Sequence, residues 1–589
     1  MLKKIFWITL ASVSMLAIGV ISLLPTPHSV VLNSNSFIIK HAHVFDGEQV
    51  LRDATIEIRD GIIQHVGNDL VSDALPIIDA SEKWLIPGLV DAHTHNFGSA
   101  LSDSLNFGIT TSIDMFTSAD VISSAKTDRN ALTKTDKADL FSAGMLTTSP
   151  GGHGTQFGIH VDTLTKPEQA AQWVARRQAE GSDFIKLVYM PNNSMFSSID
   201  RATATAVIEA AHNAGLLAVA HIDTLDDATA MLESGIDGLV HVFADQAVSQ
   251  EFLDLALENS IFVIPTLSVL ATVDHQRSGA ILANDPSIKP FLNSASRQQL
   301  ETDFGDATWP GFNFKLAQQN VRRMHEAGIM ILAGSDAPNP GTTYGASLHQ
   351  ELTMLVSAGL TPREALRAAT ILPMQAFGIN DRGRISVGQR ADFLLLDNNP
   401  IENINATRNL HQIYKNGFAV NRTTTSANVV SSKISSGYLS QFAQDLNGPS
   451  NLNWATTDDR MTGGNSSTKL RRTNGVLEVQ ANVQQGFMFP WAGAGLFGDT
   501  ALDISDYHEL SFMAKGSPGV YQALSFSGSM AGAPPAQTFN LTEEWQTFRL
   551  PLKQFHGLDS KQLIGFAIVA GPRPGKYKYS LKSVTLESQ

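Results

Sequence analysis

Two histidines one residue apart, His93 and His95 in Gly88-Leu-Val-Asp-Ala-His-Thr-His, are the first residues of this chain whose type and spacing suit chemistry. On a β-strand the side chains at i and i+2 face the same way. At a strand end, two imidazoles on one side make half of a site for zinc, copper, iron or nickel. Further ligand-type residues end later apolar runs: Lys186 in Asp183-Phe-Ile-Lys-Leu-Val, His221 in Leu217-Ala-Val-Ala-His, His241 in Gly238-Leu-Val-His, and Asp336 in Ile331-Leu-Ala-Gly-Ser-Asp. Lysine is almost never fully buried without a partner, so Lys186 in such a run demands one. The intervals are 93 residues from His93 to Lys186, then 35 to His221, 20 to His241 and 95 to Asp336. With βα units of about thirty residues, these place the ligands on strands one, four, five, six and eight of a (β/α)₈ barrel, at the ends where barrel enzymes put their sites.

Elements able to position them follow from the pattern. Ala202–Ala214, Asp226–Glu233 and Phe314–Ala327 carry helical spacing and run into Gly215, Gly235 and Gly328, each followed by a short apolar run. Helix, glycine cap, strand is the repeat of a parallel α/β fold. Thr361-Pro362 opens another helix. On either side of this block, residues 36–88 and 380–420 read as short strands with turns at Asp60-Gly61 and Asn416-Gly417. Gly383 to Val387 is included among those strands. The expectation is a barrel over 89–379 with a flanking β-sandwich built from both ends. Residues from Leu270 to Trp309 read as an irregular polar insertion, a candidate lid. A Thr, Ser and Asn-rich linker over 421–450 leads to 451–589, where short strands without helical period predict an all-β jelly roll.

The chain has 589 residues, 43% of them hydrophobic, enough for more than one sizeable core. Its formal charge of −14 argues against nucleic acid as a partner, and the absence of cysteine excludes disulfides and thiolate chemistry. Lys3 and Lys4 before an apolar stretch from Ile5 to Leu24 mark residues 1–30 as a signal peptide or an uncleaved membrane anchor. Either predicts export, with the protein periplasmic or held at the outer face of the inner membrane.

The motif Pro87-Gly-Leu-Val-Asp-Ala-His-Thr-His, the strand-end ligands, Gly334-Ser-Asp and Gly383-Arg-Ile-Ser-Val-Gly-Gln-Arg-Ala-Asp-Phe resemble the amidohydrolase superfamily. Gly151-Gly-His-Gly, Phe184-Ile-Lys and Ile264-Pro-Thr-Leu resemble its branch of imidazolonepropionase-like proteins and Xaa-Pro dipeptidases. The resemblance implies a metal-dependent hydrolase of amide-type bonds in small molecules or small peptides. It implies two divalent ions, with zinc expected, bridged by a CO₂-derived carbamate on Lys186. His93, His95 and Asp336 would hold one ion and His221 and His241 the other, with Asp336 also moving the proton. His153 and Tyr189 would contact the substrate or its oxyanion. A mononuclear deaminase is the alternative within the superfamily, disfavoured because His221 is followed by Ile222-Asp223-Thr224 rather than a motif ending in glutamate. Trp454, Asp458-Asp-Arg-Met-Thr-Gly-Gly-Asn-Ser466 and Trp545-Gln-Thr-Phe resemble the complex I intermediate-associated domain, a galactose-binding-like jelly roll. Trp491 and Trp545 there would either stack on a glycan or fill the core. An inert barrel tethered by that domain to glycan or protein is the competing class.

Overall fold

Eight short strands are buried almost throughout, as parallel strands covered on both faces must be. They are β1 (Leu89–Thr94), β2 (Ile109–Asp114), β3 (Asp139–Ser142), β4 (Ile185–Val188), β5 (Ala218–His221), β6 (Gly238–Val240), β7 (Phe262–Ile264) and β8 (Met330–Ile331). The computed structural model describes residues 34–588 except 69–73, 156–160, 306–310, 425–431, 434–436, 441–451, 460–465, 474, 485–489 and 528–533. The expected export segment, most of the linker and part of the Asp458–Ser466 motif therefore lie outside the described residues. Among the described residues no helix is long and apolar enough to cross a membrane.

β1 to β3 form one parallel run and β4 to β8 another, each in chain order. A parallel bridge between Thr147 and Leu187 joins the first run to β4. At the other end, Thr94 bridges Ala337, and Ala92 N–H donates to Ala333 O at 2.9 Å. The helices between strands start where the sequence offers caps. Asp200 accepts from Thr203 N–H, and Thr224 and Thr361 form capping boxes with Asp227 and Glu364. The helix Phe314–Ala327 ends on Gly328, whose φ of 97° is the left-handed cap that glycine adopts without strain.

Strands from both sides of this block meet in one eight-stranded sheet. Its order runs Phe418–Val420, Leu410–Lys415, Phe393–Leu396, Trp84–Pro87, Phe37–Phe45, Val50–Arg59 and Ile62–Gly67, with Ile77–Asp79 beside Phe37–Phe45. The two-ended β region is thus a single sheet rather than two separate ones. An Ile62–Arg390 bridge turns it around a core that includes Phe37, Ile56, Phe393 and Tyr414. Gly383 to Val387 forms no strand: Arg382 and Arg390 both clasp Asp381 and hold this stretch as a loop. The sheet is tied to β3 by buried charge. Lys415 Nζ lies 2.7 Å from both Asp139 and Asp392, and Arg382 also pairs with Asp139.

The expected irregular insertion is instead helical, with Leu267–Val273, Ser278–Leu282 and Ser294–Glu301. These helices are short, but Leu282, Ile288, Leu292 and Leu300 anchor the segment in the main core, and Asn293 caps its last helix. Among the described residues, the C-terminal region together with Ser432–Lys433 and Tyr438–Ser440 forms two six-stranded sheets. Leu496, Tyr521 and Phe566 from one and Leu477, Phe512 and Leu581 from the other share one core. Trp491 packs partly buried beside Leu524, Ala567 and Val569, and the ammonium groups of Lys515 and Lys582 lie over the Trp545 ring at 5.4 and 4.8 Å.

Candidate metal centre

The site begins at the meeting of β1 and β8. His93 and His95 point the same way, their Nε2 atoms 3.4 Å apart. Asp336 follows β8 in a left-handed conformation (φ 54°), its N–H donating to His93 O at 2.9 Å. That brings Asp336 Oδ1 to 3.0 Å from His93 Nε2 and 3.1 Å from His95 Nε2. Behind them, Asp91 accepts from Ser335 N–H at 2.9 Å, Ser335 Oγ–H at 2.6 Å and His93 N–H at 3.2 Å. Gly334 permits the approach: a Cβ there would lie 2.6 Å from Ile264 Cγ2 and 2.9 Å from His93 N.

On the far side, imidazoles follow one another in ring contact. His241 is 5.1 Å from His93 between ring centroids, His221 is 4.5 Å from His241, and His153 stacks on His221 at 4.9 Å. His221 closes β5, while His241 lies just past β6 with φ 70°. Lys186, 3% exposed on β4, acts electrostatically on His93, His153, His241 and Asp336. All six proposed ligands and His153 therefore belong to one neighbourhood.

Tyr189 does not. Ile185, Leu187 and Tyr189 pack in the helix-facing core, opposite to Lys186, as the period of two along β4 requires. Residues not anticipated include Asp91, Asp223 (3.6 Å from His221 Nε2 and bonded by Asn193) and Thr266, whose Oγ1 is 2.6 Å from His241 Nδ1. Asp91 and Thr266 sit inside stretches whose family resemblance is plain, Leu-Val-Asp-Ala-His and Ile-Pro-Thr-Leu, and that was the available signal.

Burial lowers His93 and His153 to about 3 and His241 well below its ordinary value, so these imidazoles are neutral. Burial likewise lowers Lys186 to about 7. Burial pushes Asp336 upward, but the His93 and His95 nitrogens outweigh it and the carboxylate stays ionised. Burial raises Asp91 to about 7 against the hydrogen bonds from Ser335. His93, His95 and Asp336 thus present ligand atoms all within 4.8 Å of one another. Asp336 Oδ1 is buried and has no aligned hydrogen-bond donor among the described residues. Two ring nitrogens and a buried carboxylate oxygen fit a cation at their centre. An open cleft of about 490 Å³ beside Arg52, Trp84 and Arg363 contributes nothing to this cluster.

Residues 165–420 match the amidohydrolase family profile. The imidazolonepropionase of Deinococcus radiodurans is 27% identical over 381 residues, covering 59% of this chain and 86% of the relative. An adenine deaminase of Lysinibacillus sphaericus is 24% identical over 393 residues, covering 65% of this chain and 58% of the relative. Among solved structures, a Xaa-Pro dipeptidase with bound methionine superposes with a TM-score of 0.52 at 21% identity, over 65% of this chain and 99% of that one. Molinate hydrolase gives 0.53 at 18%, over 66% and 96%. The family profile over residues 165–420, the curated relatives and a cluster suited to a cation agree on a hydrolase acting on carbon–nitrogen bonds.

Proposed function

We propose that the chain is a two-ion metallohydrolase that cleaves an amide-type bond in a small molecule or short peptide. The observation that carries this reading is the gathering of His93, His95 and Asp336 with Lys186, His221 and His241 in one neighbourhood. The bridges at both ends of the strand order support closure of β1–β8 as a (β/α)₈ barrel. The two C-terminal sheets with a shared core support a galactose-binding-like jelly roll. The lysine-flanked apolar start of the chain supports export.

In this reading His93, His95 and Asp336 would hold one divalent ion, with zinc the candidate, and His221 and His241 would hold the second, with Lys186 as a carbamate supplying an anionic ligand. Such ions supply Lewis-acid polarisation of the scissile carbonyl and make water acidic enough to ionise near neutral pH. With its ordinary value lowered to about 7, Lys186 has a substantial neutral fraction at neutral pH. That free amine adds to CO₂ and releases one proton, giving the anion a bridging ligand must be. Asp336 has a second carboxylate oxygen with which to take a proton from attacking water and pass it to the leaving nitrogen. His153, neutral and stacked on His221, is placed to donate a hydrogen bond to the developing oxyanion.

Lys186→Ala tests the reading. Metal analysis of the folded protein should fall from near two equivalents to one or none, and hydrolysis of dipeptide, lactam and ester substrates should be lost. Two full equivalents in that variant would sink the bridging role. A mononuclear deaminase is the second reading, favoured because, among the histidines and carboxylates of the described residues, His93, His95 and Asp336 alone gather three ligand atoms within 4.8 Å, and by the adenine deaminase relative. One equivalent in the wild-type protein, with ammonia released from an aminopurine, would select it.

A further inference from the structure

Thr266 occupies the N-cap position of the helix Leu267–Val273 but does not cap it. A threonine there ordinarily turns its hydroxyl onto the next amides of the helix. Here Thr266 is fully buried in a left-handed conformation (φ 53°, ψ 44°), which a β-branched residue rarely adopts, and its Oγ1 meets His241 Nδ1 at 2.6 Å instead. The amides left uncapped are served from elsewhere. Glu351, fully buried on the helix Ala346–Ser357, accepts from Leu267 N–H at 2.9 Å, from Ser268 N–H at 2.7 Å and from Ser268 Oγ–H at 2.8 Å. His241 is tied to the same stretch by its own N–H, which donates to Ile264 O at 2.9 Å.

We propose that Thr266 and Glu351 are positioning residues for His241: Glu351 takes over the helix cap so that the Thr266 hydroxyl is free to accept from His241 Nδ1–H. This fixes the ring in the tautomer whose Nε2 carries the lone pair and faces the site, the state a ligating imidazole needs. The strained threonine and the carboxylate brought in from another helix are one arrangement. The inference rests on the reading of His241 as a metal ligand.

The test is titration of the metal-stripped full-length protein with Zn²⁺ against a chelator of known affinity. Thr266→Val, nearly isosteric but without the hydroxyl, should weaken one of the two zinc sites about 10–100-fold, the range for loss of such an outer partner. Thr266→Ser should restore it. Glu351→Gln should weaken the same site, and combining it with Thr266→Val should add little. A folded Thr266→Val variant binding both ions as the wild type does would overturn the relay. So would a Thr266→Ser variant as weak as Thr266→Val. Should Thr266→Val not fold, ¹⁵N shifts of the wild-type imidazole decide: a proton on Nδ1 of His241 supports the relay and a proton on Nε2 overturns it. His241→Ala separates this inference from the one beneath it. Loss of a zinc site there with none lost in Thr266→Val removes only the relay, whereas two sites kept in His241→Ala removes the two-ion reading and the relay together.

Discussion

The two sides of the pocket reach the same end by different means. The side at β1 and β8 is built from main chain: a strand pair, a glycine that lets backbones close, and a carboxylate whose oxygen sits 3.0 and 3.1 Å from two imidazoles. The side at β4 to β7 is built from side chains: rings in series, with a lysine where a charged ligand is needed and a threonine behind one ring. The first side has its anion in the sequence. The second has only Asp223, 3.6 Å from His221 Nε2, and under the proposed reading would gain its anionic ligand on Lys186. An asymmetry of this kind predicts that the first side binds its ion in the bare protein and that the second depends on CO₂.

Asp336→Asn strikes the first side hardest. It removes the anion and the proton carrier together, and turnover should fall by about 10²–10⁴-fold, with the surviving metal retained at His221 and His241. Equal loss of both ions would show that the two sides are one cooperative unit. On the second side, Glu351 is raised from 4.5 to about 7, with burial the main cause. A buried acid that holds its proton longer than in the unfolded chain makes the protein more stable at low pH. The contribution of Glu351 to stability should therefore fall by about 3 kcal/mol as pH rises from 4.5 to 7, and Glu351→Gln should remove that part of the pH dependence in denaturant unfolding. A slope unchanged in the variant would mean that Glu351 is ionised throughout.

Gly334→Ala sharpens the first side again. The added methyl would meet Ile264 and His93 N, and should cost about 1–3 kcal/mol in unfolding experiments while weakening the ion at His93 and His95. Tyr189→Phe should do least. Its ring faces the helices, so kcat/KM should change by less than about twofold. A larger loss would restore it to the site.

Period two along a strand made His93, His95, Lys186 and His221 legible from the sequence, because their spacing and the apolar runs around them carry the orientation. The same rule places Tyr189, three residues after Lys186, on the opposite face. His241 and Asp336 were visible by type but not by period, since both leave their strands through left-handed conformations that no pattern marks. Thr266 and Glu351 lie in elements 84 residues apart, from Leu267 to Glu351, and only the folded contact relates them. The helices over 267–301 escaped notice because each is too short for its apolar positions to show a repeat.

The flanking sheet carries one further consequence, which concerns the order of events when the protein is made. Phe37 packs its ring against Tyr414, and Leu85 pairs with Leu395. A ribosome adding about 5–20 residues per second therefore delivers the first strands tens of seconds before their partners. Throughout that interval the Trp84–Pro87 strand has an open, apolar edge of the kind that invites wrong pairing. Chains stopped between Asp336 and Lys415 should not fold even though they contain every ligand of the site. Lys415 is also the residue that neutralises Asp139 and Asp392, so the sheet closes and the buried charge is balanced in the same step.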